Sequence, residues 1–174
     1  MQQPVTPFAE LLAGCRSSAV HLETRDVYGV AEEDEDFTAW RAGRRYDLAD
    51  RASWWNSFHD AVSDAVSRGV AMRRARVVSE PASEYIRYEH SCTPQNLAAG
   101  EDVRWLPRRL ASDLLIPGND LWIFDSRLIR FSLFDGDGRF VEDVVEDAPD
   151  VVKRHVEAFE AVWSRALPHA DYRI

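Results

Sequence analysis

The spacing of apolar residues along the chain predicts a mixture of strands and helices. Apolar and polar residues alternate at 19–24, so that Val20 and Leu22 share one face of a strand and His21 and Glu23 share the other. The apolar run 121–124 is bounded by acidic residues and is typical of a central strand buried on both faces. Similar patterns predict strands at 70–78, 103–106, 128–134 and around 140–141, the last two joined by a turn at 135–138.

Helices are predicted where apolar residues recur every three or four positions. Thr6 and Pro7 are typical of an N-cap followed by the first helical position, and they predict a short first helix. The clearest amphipathic pattern covers 53–68 and includes Trp54 and Trp55 in its apolar stripe. Further helices are predicted through 84–88, in a weaker stretch punctuated by Pro94 and Gly100, and between Pro149 and Pro168, whereas the acidic run 31–36 is interpreted as a loop.

These elements together predict one α+β domain over residues 1–174, with a central mixed β-sheet flanked by helices. A chain of 174 residues has the usual size of a single domain. Its 45% hydrophobic residues and six Trp provide enough apolar surface to build a core. No internal repeat or low-complexity tract divides the chain.

Charge and cysteine usage narrow the possible partners. The formal net charge of −9 repels phosphates over most of the surface, so we expect no direct contact with nucleic acid. No basic, apolar leader opens the chain, and no apolar run approaches the ~20 residues that span a bilayer, so we expect a cytoplasmic protein without a membrane partner. Cys15 is in phase with a helical apolar stripe and is expected in the core, and the pair His90 and Cys92 lacks a third orienting group for thiolate chemistry.

Two groups of residues could be considered as metal sites, but neither provides the ligands that a metal needs. Residues 135–139 read Asp-Gly-Asp-Gly-Arg, but Arg139 stands where a calcium loop needs another oxygen ligand, so a hairpin turn is favoured. His21, Glu23 and Asp26 offer too few ligands for a zinc-like site. We therefore expect no metal, no cofactor and no catalytic residue.

The arginines are the most informative candidates for a binding site. Arg74 and Arg76 share one face of the strand at 70–78, and Arg104 and Arg108 flank the strand at 103–106. If these strands are neighbours, their guanidiniums converge near carboxylates, and they either bind an anionic ligand or form an internal ion-pair lattice. The candidate ligand- or partner-binding residues are Arg74, Arg76, Glu84, Tyr85, Tyr88, Arg104, Arg108, Asp120 and Asp125, with the tyrosines as a stacking surface.

Four sequence blocks carry a resemblance to a known family. They are His21-Leu22-Glu23-x-Arg25-Asp26-x-Tyr28, Arg73-Arg74-x-Arg76-Val77-Val78-Ser79-Glu80-Pro81-x-Ser83-Glu84-Tyr85 with Tyr88-Glu89, Ala99-Gly100-Glu101-x-Val103-Arg104-Trp105-Leu106, and Pro117-x-Asn119-Asp120-x-Trp122-x-Phe124-Asp125. The pattern resembles an actinobacterial family of unknown function that is commonly encoded beside XRE-type helix-turn-helix regulators. The resemblance covers nearly the whole chain and implies a regulatory neighbourhood, with no assigned enzymatic activity.

The order of elements also resembles one half of a phospholipase D-type domain. Active members of that superfamily carry His-x-Lys-x-x-x-x-Asp at the central strand, where the histidine is the nucleophile. With the final aspartate placed on Asp125, Gly118 stands at the histidine and Asp120 at the lysine. The resemblance therefore implies a lost active site, and it also implies a possible homodimer, since single-repeat chains pair to complete their cleft.

Three hypotheses of function follow. The first is a non-catalytic regulatory or adaptor protein that acts through a protein partner such as a helix-turn-helix transcriptional regulator. The second is a sensor that binds a small anionic ligand through the arginines. The third is an enzyme of unrecognised chemistry, which no motif favours.

Overall fold

One mixed β-sheet organises the fold. The structure is a computed structural model that describes residues 6–29 and 31–174, the side chains of 31–34 excepted. Its strands are β1 (Ser18–Glu23), β2 (Ala71–Val78), β3 (Asp102–Pro107), β4 (Asp120–Phe124), β5 (Leu128–Phe134), β6 (Phe140–Glu146) and β7 (Leu167–Pro168). Its helices are α1 (Phe8–Gly14), α2 (Ala31–Arg41), α3 (Ser57–Ser67), α4 (Glu84–Ala99) and α5 (Pro149–Arg165), with 3-10 turns at 51–53 and 108–110.

The sheet joins a parallel half to an antiparallel half. The strand order is β6-β5-β4-β1-β2-β3-β7. β1, β2 and β3 are parallel, whereas β4, β5 and β6 form antiparallel hairpins, and β1 meets β4 in antiparallel register. All five residues of β4 are buried, which confirms the central strand predicted from its apolar run. The sequence prediction of an α+β domain with a mixed sheet flanked by helices is confirmed.

The two faces of the sheet have different neighbours. Val20 and Leu22 of β1 belong to a core that is completed by Phe159 and Trp163 of α5. On the opposite face, α1 and α3 pack over β2 and β4 in a second core, which includes the buried Cys15. Because side chains alternate along a strand, the residues between the α5-facing positions all point to the face that carries α1, α3 and α4.

Local capping explains where the boundaries differ from the sequence prediction. α3 begins at Ser57 rather than at 53, because the Asn56 side chain accepts hydrogen bonds from the Phe58 and His59 N–H groups (3.0 and 3.4 Å) and His59 Nδ1 accepts from the Asn56 N–H (3.1 Å). Trp54 and Trp55 therefore precede the helix. Similarly, Pro7 rather than Thr6 occupies the N-cap position of α1.

Two further predictions of local structure were wrong. The acidic run 31–36 belongs to α2 instead of forming a loop. α4 continues through Pro94 as one helix; the Ser83 hydroxyl accepts from the Ile86 N–H (3.1 Å) at its start and Gly100, with φ +105°, ends it. Over residues 6–29 and 31–174, no helix combines the length and the apolar character needed to cross a membrane.

Candidate functional site

A cleft of about 690 Å³ lies between the sheet and the segments that cover its α4 side. β1, β2, β4 and β5 supply its floor, and α4 together with the segment 44–56 supplies its walls. His21 and Glu23 reach this floor because they alternate with the core residues of β1, as the sequence pattern predicted. Strand register sets His21 beside Arg74 and Glu23 beside Arg76.

Glu23 joins the two arginines of the floor. Its Oε1 lies 3.2 Å from Arg74 Nη1, and its Oε2 lies 2.8 Å from Arg76 Nε. All three side chains are at least 86% buried, so these ion pairs have little solvent around them. The sequence left open whether these arginines bind an anionic ligand or form an internal ion-pair lattice. In the structure, both guanidiniums pair with carboxylates of the protein.

Two further carboxylates complete this network from α4 and its C-terminal end. Glu101 Oε1 accepts from Arg74 Nε (3.3 Å) and Nη2 (3.2 Å), and Glu89 accepts from Arg76 Nη1. Burial by itself would lower the pKa of Arg74, but Glu101 and Glu23 outweigh it and raise that pKa. Three carboxylates thus surround two guanidiniums, and the network has an excess of negative charge.

Asp120 lies on the same floor and is 2% exposed. Its Oδ1 accepts from the Thr24 N–H (2.8 Å) and hydroxyl (2.7 Å), and its Oδ2 accepts from the Tyr28 hydroxyl. Burial raises the pKa of Asp120, although the hydrogen bonds from Tyr28 and Thr24 act in the opposite direction. Within the described part of the chain, no Lys, Arg or His nitrogen lies within 4.0 Å of this carboxylate.

His21 is a neutral member of the floor. Burial lowers its pKa well below 6.5, and the charges of Arg74 and Arg76 lower it further. Its ring stacks on Trp122 with centroids 4.2 Å apart and an interplanar angle of 17°. Its Nδ1 is 4.0 Å from Glu23 Oε1, which is beyond a hydrogen bond.

Aromatic rings form much of the wall. Tyr28 packs against Tyr85 and Phe134, with ring centroids 5.6 and 5.5 Å apart, and Tyr85 also contacts Tyr88 at 5.8 Å. The Tyr85 hydroxyl donates to Glu89 Oε1 (3.1 Å). Rings and carboxylates therefore alternate at this end of the cleft.

Trp54 and Trp55 line the other end, and the sequence analysis missed their role. Their spacing fitted the apolar stripe of a helix, whereas both lie in the segment before α3. The signal that could have separated them is Asn56, because Asn is a favoured N-cap and a helix that starts after it leaves both tryptophans outside.

The cleft collects five of the nine candidate residues. These are Arg74, Arg76, Tyr85, Tyr88 and Asp120. Arg104 is on the opposite face, because it is in register with Ala75, and its guanidinium lies 4.2 Å from the Trp163 ring centroid. Glu84 forms an exposed ion pair with Arg41 (3.1 Å) at the start of α4.

Arg108 and Asp125 are also outside the cleft, and each holds backbone in place. Arg108 donates to the carbonyl oxygens of Val77 (3.0 Å) and Thr24 at the ends of β2 and β1. Asp125 accepts from the N–H groups of Ser17 (2.8 Å) and Ser18 (3.0 Å) at the start of β1. Burial opposes ionisation of Asp125, but these N–H donors outweigh it and lower its pKa to about 2. Arg74 and Arg76 therefore converge on carboxylates, whereas Arg104, Arg108, Glu84 and Asp125 lie apart from them.

Asp125 also shapes the turn between β4 and β5. Asp125 and Ser126 have φ of +51° and +53°, and the Arg127 N–H donates to the Phe124 carbonyl oxygen (3.0 Å). This is the two-residue hairpin geometry in which Asp at a left-handed position is favoured. The predicted hairpin turn at 135–138 is confirmed between β5 and β6, and Asp135 accepts there from the Arg139 N–H (2.9 Å).

The other residues considered for catalysis or metal binding are His90, Cys92 and Asp26, and the structure does not bring them together as a site. His90 packs against Trp105 and His169, with centroids 5.3 and 4.5 Å away. Burial raises the pKa of the Cys92 thiol to about 12. Asp26 accepts from the Ser79 N–H (2.8 Å) instead of joining His21. Over the described ranges, no three His, Cys, Asp or Glu side chains are grouped as metal ligands.

The fold and the site define an α+β domain with an ion-paired, aromatic-lined cleft over a mixed sheet. The chain belongs to the family described as Domain of unknown function (DUF6879), whose model matches residues 6–174. No curated protein matches the sequence. The family description carries no activity, so the regulatory neighbourhood, the actinobacterial origin and the phospholipase D likeness all stay predictions.

One solved structure with a similar chain is that of TrmBL2, an archaeal chromatin protein described as showing a novel mode of DNA binding. The identity is 17%, the TM-score is 0.49, and the match covers 91% of this chain and 47% of that one. The chain thus spans about half the length of the TrmBL2 chain. A likeness at this level carries no argument for what the present protein binds.

This neighbour does correct one expectation from the sequence. The net charge was taken to exclude direct contact with nucleic acid, and that exclusion was wrong: TrmBL2 is described as showing a mode of DNA binding, and net charge alone does not decide whether a protein binds DNA. Net charge averages the whole surface, whereas binding to phosphates depends on local patches of charge.

Proposed function

We propose that the protein is a non-catalytic regulatory protein that binds a small polar molecule in the cleft. The observation that supports this is the cleft itself, whose volume of about 690 Å³ falls in the usual range of small-molecule sites. Its aromatic walls and buried polar floor match the composition of such sites, in which a few polar groups fix the orientation of a ligand.

The ion pairs of Arg74 and Arg76 argue against the anionic ligand of the second hypothesis. Glu23, Glu89 and Glu101 already pair with these two arginines, and this group of three carboxylates exceeds the two guanidiniums by one charge. An incoming phosphate or carboxylate would have to displace buried, hydrogen-bonded carboxylates. The arginines are therefore better suited to hold the floor than to bind an anion.

A non-catalytic role is supported by the state of the reactive groups. The Cys92 thiol, with a pKa raised to about 12, is a poor nucleophile at neutral pH. Among the described residues, His21 has no hydrogen-bonded base or acid partner, since the carboxylate oxygen recorded beside it, Glu23 Oε1, is 4.0 Å from its Nδ1. An enzyme of unrecognised chemistry has no specific observation in its favour.

Gln95 offers a direct test of ligand binding. It lies in the cleft wall on α4, is 9% exposed, and its Nε2 has no hydrogen-bond partner among the described residues. A bound molecule that accepts from this amide would satisfy it. Gln95→Leu keeps the shape and removes the donor, so the variant should fold while binding more weakly.

The experiment is a thermal-shift screen with amines, amino acids, nucleosides, sugars and organic acids. A ligand at 100 times its Kd should add ~2.7 kcal/mol to the free energy of unfolding. The Gln95→Leu variant should show a smaller shift, whereas Arg87→Gln, on the exposed side of α4, should respond as the unmodified protein does. If no compound raises Tm, or if Gln95→Leu binds every hit equally well, the cleft is not the binding site.

The partner through which the protein would act stays a prediction. The resemblance points to a protein partner such as a helix-turn-helix regulator, and co-purification with the neighbouring regulator would test it. Light scattering would test the possible homodimer, and the expected cytoplasmic location also stays a prediction. Failure to detect a complex across low and moderate salt would remove the adaptor hypothesis without affecting ligand binding.

A further inference from the structure

The cleft contains carboxylates in excess at the end formed by Tyr28 and Tyr85. Glu23 and Glu89 share Arg76 there, and Asp120 adds a carboxylate with no cation of the described residues within 4.0 Å. Removing an unpaired carboxylate from water is strongly unfavourable unless hydrogen bonds or a counter-charge compensate for it. The described side chains therefore balance only part of the negative charge at this end of the cleft.

Asp120 has acceptor capacity left for a ligand. A carboxylate has about four lone-pair sites on its two oxygens. Among the described residues, two donors from Thr24 reach Oδ1, and one donor, the Tyr28 hydroxyl, reaches Oδ2. A cationic N–H group or an alkylated ammonium beside Oδ2 would supply the missing counter-charge.

The rings around Asp120 favour the same kind of ligand. The faces of aromatic rings attract cations, with an effect that grows when the site is desolvated. The Tyr28 ring packs against Tyr85 and Phe134, and the Arg25 guanidinium already lies 4.8 Å from the Phe134 centroid. Arg25 makes no ion pair with Asp120, so the charge of this carboxylate is offset by the hydrogen bonds from Thr24 and Tyr28 and by no described cation within 4.0 Å.

We infer that the cleft binds a small organic cation, an ammonium, guanidinium or protonated nitrogen heterocycle that carries a flat apolar group. Its charge pairs with Asp120 beside the rings of Tyr28, Tyr85 and Phe134, and its apolar group packs on the remaining aromatic wall. The inference rests on the proposed function and adds the chemical class of the ligand. An anion of the same shape is disfavoured at this end of the cleft, because it would meet the carboxylates of Glu23, Glu89 and Asp120.

Three probes that share one phenyl ring compare a cation, a neutral compound and an anion. Benzyltrimethylammonium is the cation, benzyl alcohol the neutral compound and benzoate the anion, and binding is followed by calorimetry and by the chemical shifts of the protein. We expect the cation to bind at least tenfold more tightly than either of the others. Its affinity should change little in the variant Asp137→Asn, which alters an exposed carboxylate of the hairpin turn.

Asp120→Asn is the decisive variant. It keeps an oxygen to accept from Thr24 and removes the charge, so binding of benzyltrimethylammonium should weaken at least tenfold. If this variant fails to fold, Glu89→Gln serves instead, because it removes one carboxylate of the excess while Glu23 still pairs with Arg76, and binding should weaken severalfold.

The outcomes distinguish this inference from the proposed function. Tighter binding of benzoate than of the cation, or unchanged affinity in whichever of the two variants folds, would overturn the organic cation and leave a small-molecule cleft intact. Binding of library compounds without any binding of benzyltrimethylammonium at 20 mM would do the same. If neither the library nor the probes bind, both proposals fall.

Discussion

Replacing Arg76 by Met should show how much the fold depends on the ion pairs beneath the cleft. The Arg76 side chain is 5% exposed and compensates Glu23 and Glu89, which are each 14% exposed. Arg76→Met removes the cation but leaves both carboxylates buried, and breaking a buried pair in this way costs about 3–5 kcal/mol. For a chain of this length, each kcal/mol lowers Tm by roughly 2–4 °C, so the loss should be about 6–20 °C.

The assay is urea unfolding followed by tryptophan fluorescence, with two companion variants. Glu160→Gln breaks the ion pair between Glu160 and Arg73 (2.7 Å). Because the Glu160 side chain is 48% exposed, this variant should lose less than about 1 kcal/mol of unfolding free energy. The double variant Arg76→Met with Glu89→Leu replaces a buried pair by apolar groups and should recover much of the loss. The reasoning is refuted if Arg76→Met costs no more than Glu160→Gln, or if the double variant is less stable than Arg76→Met.

Three other outcomes are expected. Phe159→Ala, on the buried face of α5 at a position with 0% exposure, should lose about 3–5 kcal/mol in urea unfolding, whereas Phe140→Ala at 45% exposure should lose far less, and equal losses would contradict the core assignment. Because the folded-state pKa of Asp125 is about 2, below an unfolded value of ~3.9, its contribution to stability is present above pH ~4 and is lost as pH falls toward 2; acid unfolding of Asp125→Asn should lack this step. Because the pKa of Asp120 is raised, affinity for benzyltrimethylammonium should increase with pH as Asp120 ionises, and a pH-independent affinity would exclude Asp120 as the recognition group.

Patterns that depend on local spacing were predictable from the sequence. Alternation in β1 correctly placed Val20 on the core side and Glu23 on the polar side, and the apolar run of β4 correctly predicted a strand buried on both faces. The shared face of Arg74 and Arg76 was equally predictable, since residues two apart on a strand point the same way. These results depend only on backbone geometry.

Features that depend on tertiary pairing were not predictable. Arg104 belongs to β3, which is indeed the neighbour of β2, yet its register with Ala75 turns it to the α5 face. The pattern of one strand does not contain the register between two strands. Asp125 was listed as a candidate with the arginines, whereas the hairpin turn directs it to the N–H groups at the start of β1.

The antiparallel seam between β1 and β4 has a consequence for the order of folding. Ala19 pairs with Phe124, so this seam closes over more than a hundred residues, whereas β4, β5 and β6 are joined by short turns. Contacts of such separation carry a large loop-closure entropy and slow the folding of a domain. We expect the hairpins to form before the seam, and His21 and Trp122 to meet only when it closes. The floor of the cleft is then one of the last parts of the molecule to be assembled, and occupation of the cleft reports that the seam between β1 and β4 has closed.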